Sequence, residues 1–235
     1  MENLRLHALV AYLKKHGSAT YAELMKEFAV SSATIHRDIV ELASRGTISP
    51  VRGGALFNKT PAQIEAADPY VDRVVTNRKA KILAAQKALK TIGEGDIVFL
   101  DSSTTVYELA HLLRGSKISH LTIVTNSLAI MQNFRKMPRE WVLIGLGGNY
   151  DSQLNSILGS TAIAELKAFN LTKAFVSAFG LDQNATTNHE RQAELLRVVL
   201  DTAQKRYLLI DHTKRGRLGL YRIAPRGAFD AVFTD

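Results

Sequence analysis

Ser32-Ala33-Thr34-Ile35-His36-Arg37-Asp38, followed by Leu42 and Gly46, is the stretch whose reading decides the first fold in this chain. Ile35, Ile39 and Leu42 recur at helical spacing, so the pattern predicts a helix that turns one apolar stripe inward and ends at Gly46. The opposite face presents Ser32, Ala33, His36 and Arg37. A helix that enters the major groove of DNA needs short side chains for close approach, hydroxyls for phosphates and one or two long donors for base edges. This face supplies each of them.

Working outward, Leu6, Leu9, Val10 and Leu13 form a single stripe on a first helix that stops at His16-Gly17. Thr20 to Glu23 has the spacing of a capping box, opening a short second helix that buries Leu24 and Phe28. Val30 and Ser31 then make a turn, with Ser32 expected as the N-cap of the third helix. Residues 47–57 alternate loosely around a Gly pair and suit a β-hairpin wing, so residues 1–57 read as a winged helix-turn-helix domain. On this reading Arg37 and His36 lie nearest the bases, and Ser32, Thr34 and Arg52 nearer the phosphates.

Residues 58–70 contain two prolines and few large apolar side chains, which reads as a linker, and residues 71–235 as a second domain. A helix is expected over 71–92. Short β-rich runs follow at 97–100, 121–125, 141–144, 174–176, 207–210 and 231–233, separated by helical patterns at 105–114, 128–136, 161–169 and 190–205. Such alternation predicts an α/β domain with a mostly parallel sheet covered by helices.

Composition narrows the field. The 235 residues are 46% hydrophobic and 22% charged, which is globular, and they include no Cys, which removes disulfides, thiolate catalysis and cysteine zinc sites. No apolar run approaches membrane-spanning length and the N-terminus reads as an amphipathic helix, so no membrane partner and a cytoplasmic location are expected. The net charge is +8, with 8 Lys/Arg against 5 Asp/Glu in residues 1–60. The short N-terminal part is thus the more basic per residue, as a polyanion binder requires.

In open parallel sheets ligands collect beyond the carboxyl ends of the strands, and Asp101, Asn126, Gly147-Gly148 and Asp211 stand at those ends. Asp101-Ser102-Ser103-Thr104-Thr105 passes from strand to helix, where four hydroxyls and the first-turn amides can converge on an anion such as phosphate; Ser103 or Thr104 can equally act only as a helix cap, and Asn126 can cap the next helix. Gly145 to Gly148 is too short and misplaced for a dinucleotide fingerprint, and the His residues lack metal spacing, so neither cofactor nor metal is expected.

The run from Ser32 to Asp38, with Leu42, Gly46 and Arg52-Gly53-Gly54-Ala55, closely resembles the N-terminal signature of the DeoR family of bacterial transcription regulators. The second half resembles the sugar-phosphate sensor domain of that family, which is related to ribose-phosphate isomerases and coenzyme A transferases: Lys81, Gly95-Asp96, Asp101 to Thr105, Val124-Thr125-Asn126, Gly147-Gly148, Gly159 and Asp211 to Lys214 with Gly216 follow in order. The resemblance implies a winged helix-turn-helix repressor of a carbohydrate operon that binds double-stranded operator DNA as a homo-oligomer, dimer or tetramer. A phosphorylated sugar would be its effector, with Lys214 supplying positive charge to the ligand site. Asp38 is expected to pair locally with basic residues rather than to face phosphates. Three departures stand out. Ser49-Pro50-Val51-Arg52 stands where members commonly have a basic residue and a His before Gly-Gly-Ala; Gln192 and Leu196 replace an acid and a Lys on the late helix; and the family generally continues beyond Thr234-Asp235.

An isomerase or transferase acting on a sugar phosphate is the competing reading, and a sensor domain that only oligomerises is a third. Isomerisation needs a carboxylate base and a carbonyl-polarising group, and the sequence names no clean pair, since Asp101 and Asp211 both suit structural roles at strand ends.

Overall fold

The computed structural model describes residues 2–58 and 69–235, and the chain divides into two compact units, Met1–Thr76 and Asn77–Asp235. The segment read as a linker lies, from 59 to 68, outside the described residues.

The first unit runs α1 (Glu2–His16), β1 (Ser18–Thr20), α2 (Tyr21–Phe28), α3 (Ser32–Ser44), β2 (Ile48–Val51), β3 (Gly54–Phe57) and α4 (Pro69–Val75). Leu6, Leu9, Leu13, Leu24, Phe28, Ile35, Ile39 and Leu42 close one core as the spacing implied, while Val10 of the predicted stripe is only half-buried against it. The capping box of α2 is present, with Thr20 accepting from the Glu23 amide and Glu23 accepting from the Thr20 amide. The cap of α3 differs from expectation by one residue: Ser31, in extended backbone, accepts from the Thr34 amide, and Ser32 is already helical. Asp38 is fully buried and takes two bonds from the Arg5 guanidinium, one of them 2.8 Å long, so it locks α3 to α1.

The wing has three strands, ordered β1-β3-β2. Its Gly pair has two separate causes. Gly53 sits at φ +82°, in the left-handed region that favours glycine, and a Cβ on Gly54 would come within 2.3 Å of the Ala19 carbonyl oxygen.

The second unit runs α5 (Arg78–Leu89), β4 (Ile97–Leu100), α6 (Thr104–Leu113), β5 (Leu121–Thr125), α7 (Leu128–Asn133), β6 (Trp141–Gly145), β7 (Asn149–Asp151), β8 (Ser156–Leu158), α8 (Ser160–Leu166), β9 (Leu171–Val176), β10 (Gly180–Leu181), β11 (Asn184–Thr187), α9 (Glu190–Thr202), β12 (Ala203–Leu209), β13 (Tyr221–Pro225) and β14 (Ala231–Phe233). Six strands form one parallel sheet, β14-β12-β9-β4-β5-β6, and apolar clusters occupy both of its faces. All six expected strands lie in this sheet. The antiparallel set β10-β11-β13 and the hairpin β7-β8 were not expected.

Four helical stretches depart from the sequence pattern. The helix expected over 71–92 is two, α4 and α5, broken at Asn77, whose φ of 54° is left-handed. The late helix stops at Thr202, and β12 begins at the next residue without a loop. The third and fourth, α7 and α8, end at Asn133 and Leu166, short of the expected 136 and 169.

Candidate functional site

In the first unit Ser32, Ala33, His36 and Arg37 are all exposed on the outer face of α3, and Thr34 is half-buried with its hydroxyl 2.9 Å from the Ser31 hydroxyl. Arg37 and Arg52 make no hydrogen bond or ion pair among the described residues, so both guanidinium groups remain available. Arg52 occupies the exposed tip of the wing, between β2 and β3. Two residues join this face that sequence reasoning passed over. The ring of Tyr21 lies 4.3 Å from that of His36, and its amide donates to the Gly53 carbonyl at 2.9 Å, tying α2, the outer face of α3 and the wing turn together. Val40, one turn beyond His36, is 66% exposed and adds a larger apolar side chain to this mostly polar face.

In the second unit the sheet register does the assembling. Leu100 is level with Thr125 and with Phe175, and Thr125 with Gly145, so Asp101, Asn126, Leu146-Gly147 and Ser177 leave neighbouring strands at one edge. Asp211 leaves β12 at the same edge. Asp101 is buried, and its carboxylate accepts the Ser103 amide at 2.8 Å and the Ser177 amide at 2.7 Å. Burial pushes its pKa up, against those bonds and the charge of Lys214. With both oxygens engaged by the backbone, Asp101 organises the strand ends and is poorly placed to act as a general base.

Ser103 is the N-cap of α6, its hydroxyl accepting from the Val106 amide at 3.2 Å. Ser102, Thr104 and Thr105 are buried around that helix start, and the Thr105 hydroxyl has no partner among the described residues. Lys214 lies on a short 3-10 turn, His212–Lys214, capped by Asp211, and its ammonium donates to the Ser177 hydroxyl at 3.2 Å. Ser177 therefore connects Asp101 to Lys214 through its amide and its hydroxyl. It was missed although it obeys the same strand-end rule as Asp101. Lys81 is also buried, on the first turn of α5.

The other expected positions have different surroundings. Asn126 does not cap α7; Ser127 does, and the Asn126 amide group instead donates to the Ser156 hydroxyl at 2.8 Å and to the Ile157 carbonyl at 3.3 Å. Its Oδ1 is buried without a partner among the described residues. The Gly147 amide donates to Glu165 at 2.8 Å, and a Cβ on Gly148 would come within 2.7 Å of the Leu158 carbonyl oxygen, so the chain's own α8 and β8 approach this turn closely. Gln192 accepts from the Thr187 hydroxyl at 2.6 Å, and its hydrogen bond ties it to β11 rather than to the Asp101 group. Among the described residues no group of three His, Cys, Asp or Glu could hold a metal ion, and no helix is long and apolar enough to cross a membrane.

An exposed polar helix face on a winged helix-turn-helix, together with an α/β unit whose parallel strands end in polar residues, is the architecture of a two-part DNA-binding regulator. The chain matches the DeoR-like helix-turn-helix domain over residues 5–61 and the DeoR C terminal sensor domain over residues 76–235, so it belongs to the DeoR family and is a transcription regulator rather than an enzyme. It is 32% identical over 237 residues to the HTH-type transcriptional regulator IolR of Bacillus subtilis (strain 168), covering 100% of this chain and 92% of that protein. It is 30% identical over 232 residues to the lactose phosphotransferase system repressor of Lactococcus lactis subsp. lactis, covering 98% and 90%. A solved structure of D-ribose-5-phosphate isomerase in complex with phospho-erythronic acid is similar at a TM-score of 0.43 and 18% identity, over 59% of this chain and 54% of that one.

Proposed function

We propose that this chain represses a carbohydrate-use operon in the cytoplasm, binding double-stranded operator DNA as a homo-oligomer and responding to a phosphorylated sugar. The outer face of α3 reads base edges through Arg37 and His36, while Ser32, Thr34 and Arg52 hold phosphates. The sugar phosphate sits at the carboxyl edge of the parallel sheet, its phosphate at the start of α6 and facing Lys214. Asn126 and the Gly147-Gly148 turn flank that place, and Gln192 serves a more distant part of the ligand.

The observation that carries the effector reading is the half-buried Lys214 ammonium, held against Ser177 beside a capped helix start. The name of the lactose phosphotransferase system repressor, a relative along nearly the whole chain, supports the sign of regulation and the carbohydrate link. The test is thermal unfolding with glycerol 3-phosphate, fructose 1-phosphate and glucose 6-phosphate, each beside its unphosphorylated parent. A ligand at a hundredfold excess over its Kd adds about 2.7 kcal/mol to folded stability, so the phosphorylated member of one pair should raise Tm clearly and its parent far less. Lys214→Met should abolish that difference. Equal shifts from both members of every pair would place recognition elsewhere.

A further inference from the structure

We propose that Asn77 is the positioning residue through which occupancy of the ligand site reaches the DNA-binding unit. The inference rests on the ligand site proposed above and names the means of its regulation. Thr76 is the last residue of the first unit and Asn77 the first of the second. Asn77 holds φ 54° and ψ 30°, a left-handed conformation that few residues with a Cβ adopt, and it is the point at which one helical pattern becomes two helices.

Its side chain is the informative part. Asn at the start of a helix usually turns back to cap the first amides, yet here it makes no such bond with α5. The amide group instead donates to the Thr213 hydroxyl at 3.1 Å and, more weakly, to the Asp211 carboxylate at 3.4 Å. Both partners belong to the turn that carries Lys214, which is bonded in turn to Ser177, whose amide holds Asp101, which receives the capping residue of α6. A path of hydrogen bonds, joined by the covalent turn from Asp211 to Lys214, therefore runs from the candidate phosphate position to the residue where the chain crosses between units.

An anion that draws the Lys214 ammonium away from Ser177 shifts the turn bearing Thr213, and the bond to Asn77 is the next one loaded. Without that bond the left-handed backbone loses its support, and the right-handed alternative lets α4 run on into α5 as one helix. Asn77 thus has two discrete backbone states, which is the kind of element an effector can bias.

The experiment uses the full chain and an operator duplex obtained by selection from random DNA. Operator affinity is measured with and without saturating glycerol 3-phosphate, fructose 1-phosphate or glucose 6-phosphate, for wild type, Asn77→Gly and Asn77→Ala. Glycine accepts the left-handed backbone and removes the amide together with its Cβ, so Asn77→Gly should fold. A wild-type response in the usual 5- to 150-fold range should fall to within about twofold of no response in both variants, while the phosphosugar still raises their Tm. An undiminished response in both variants overturns the role of Asn77 and leaves the ligand site standing. A wild type whose operator affinity ignores a phosphosugar that binds overturns the coupling, and a wild type that binds none overturns the ligand site with it.

Discussion

Two helices of this protein begin in nearly the same words. In the first unit α3 starts Ser31-Ser32-Ala33-Thr34 and in the second α6 starts Ser103-Thr104-Thr105-Val106, each capped by a serine hydroxyl that accepts the amide three residues on. Their surroundings are opposite. Ser32 and Ala33 face solvent, whereas Thr104, Thr105 and Val106 are buried. One start is open to a large partner from outside; the other is closed in by its own domain. Environment, more than local motif, separates the operator face proposed above from the proposed anion position.

The buried aspartates extend the contrast, and removing them should give the largest effects. Asp38 is neutralised by Arg5, so Asp38→Ala leaves a partly buried guanidinium without its carboxylate and should cost about 3 kcal/mol of stability in urea unfolding. A loss below about 1 kcal/mol would mean that Arg5 simply rehydrates. Asp101 is held by amides instead, and Asp101→Asn replaces one acceptor with a donor facing a backbone N–H, at about 2 kcal/mol. The pH dependence follows from the raised Asp101 pKa: its contribution is present below the unfolded value and is lost as pH rises through the folded one. The gap between wild type and Asp101→Asn should therefore be widest in acid and narrow with rising pH, and a gap that widens would reverse the sign of the shift.

Next in size is Arg37→Ala, which should weaken binding to the selected operator by about 2 kcal/mol while leaving Tm unchanged. Equal weakening on non-specific DNA would move Arg37 from the bases to the phosphates. The smallest effects concern the two caps. Ser103→Ala should cost about 1 kcal/mol and Ser31→Ala about 0.5 kcal/mol, because water replaces a lost cap more readily at the exposed helix start. Equal costs would show that the two starts differ less than their burial implies.

The parallel sheet was legible because each of its strands is a short apolar run, and the strand-end rule then located Asp101, Asn126 and Asp211 without further help. What escaped has a physical reason. Among the unexpected strands, Ser18-Ala19-Thr20, Gly180-Leu181 and Asn184-Ala185-Thr186-Thr187 are too short or too polar to carry a period, and their pairing is decided by distant partners. The break at Asn77 was invisible because its side-chain partners lie more than 130 residues away. Ser177 follows a strand as Asp101 does, but a lone serine carries no charge to attract notice. Gln192 stands where the family commonly has an acid, and its hydrogen bond from Thr187 on β11 joins two segments that no local pattern connects.

The contact between Gly54 and Ala19 bears on the kinetics of association. Because the wing strand lies against β1 with no room for a methyl group, and the Gly53 carbonyl is held by the Tyr21 amide, the hairpin and the outer face of α3 are preorganised as one rigid surface. With the operator contacts proposed above, docking such a surface requires little loop ordering, so its entropic cost is confined mainly to side chains such as Arg37 and Arg52 and to the loss of tumbling. Encounter with DNA is then governed by diffusion and charge, and affinity differences among operators fall chiefly on the rate of departure.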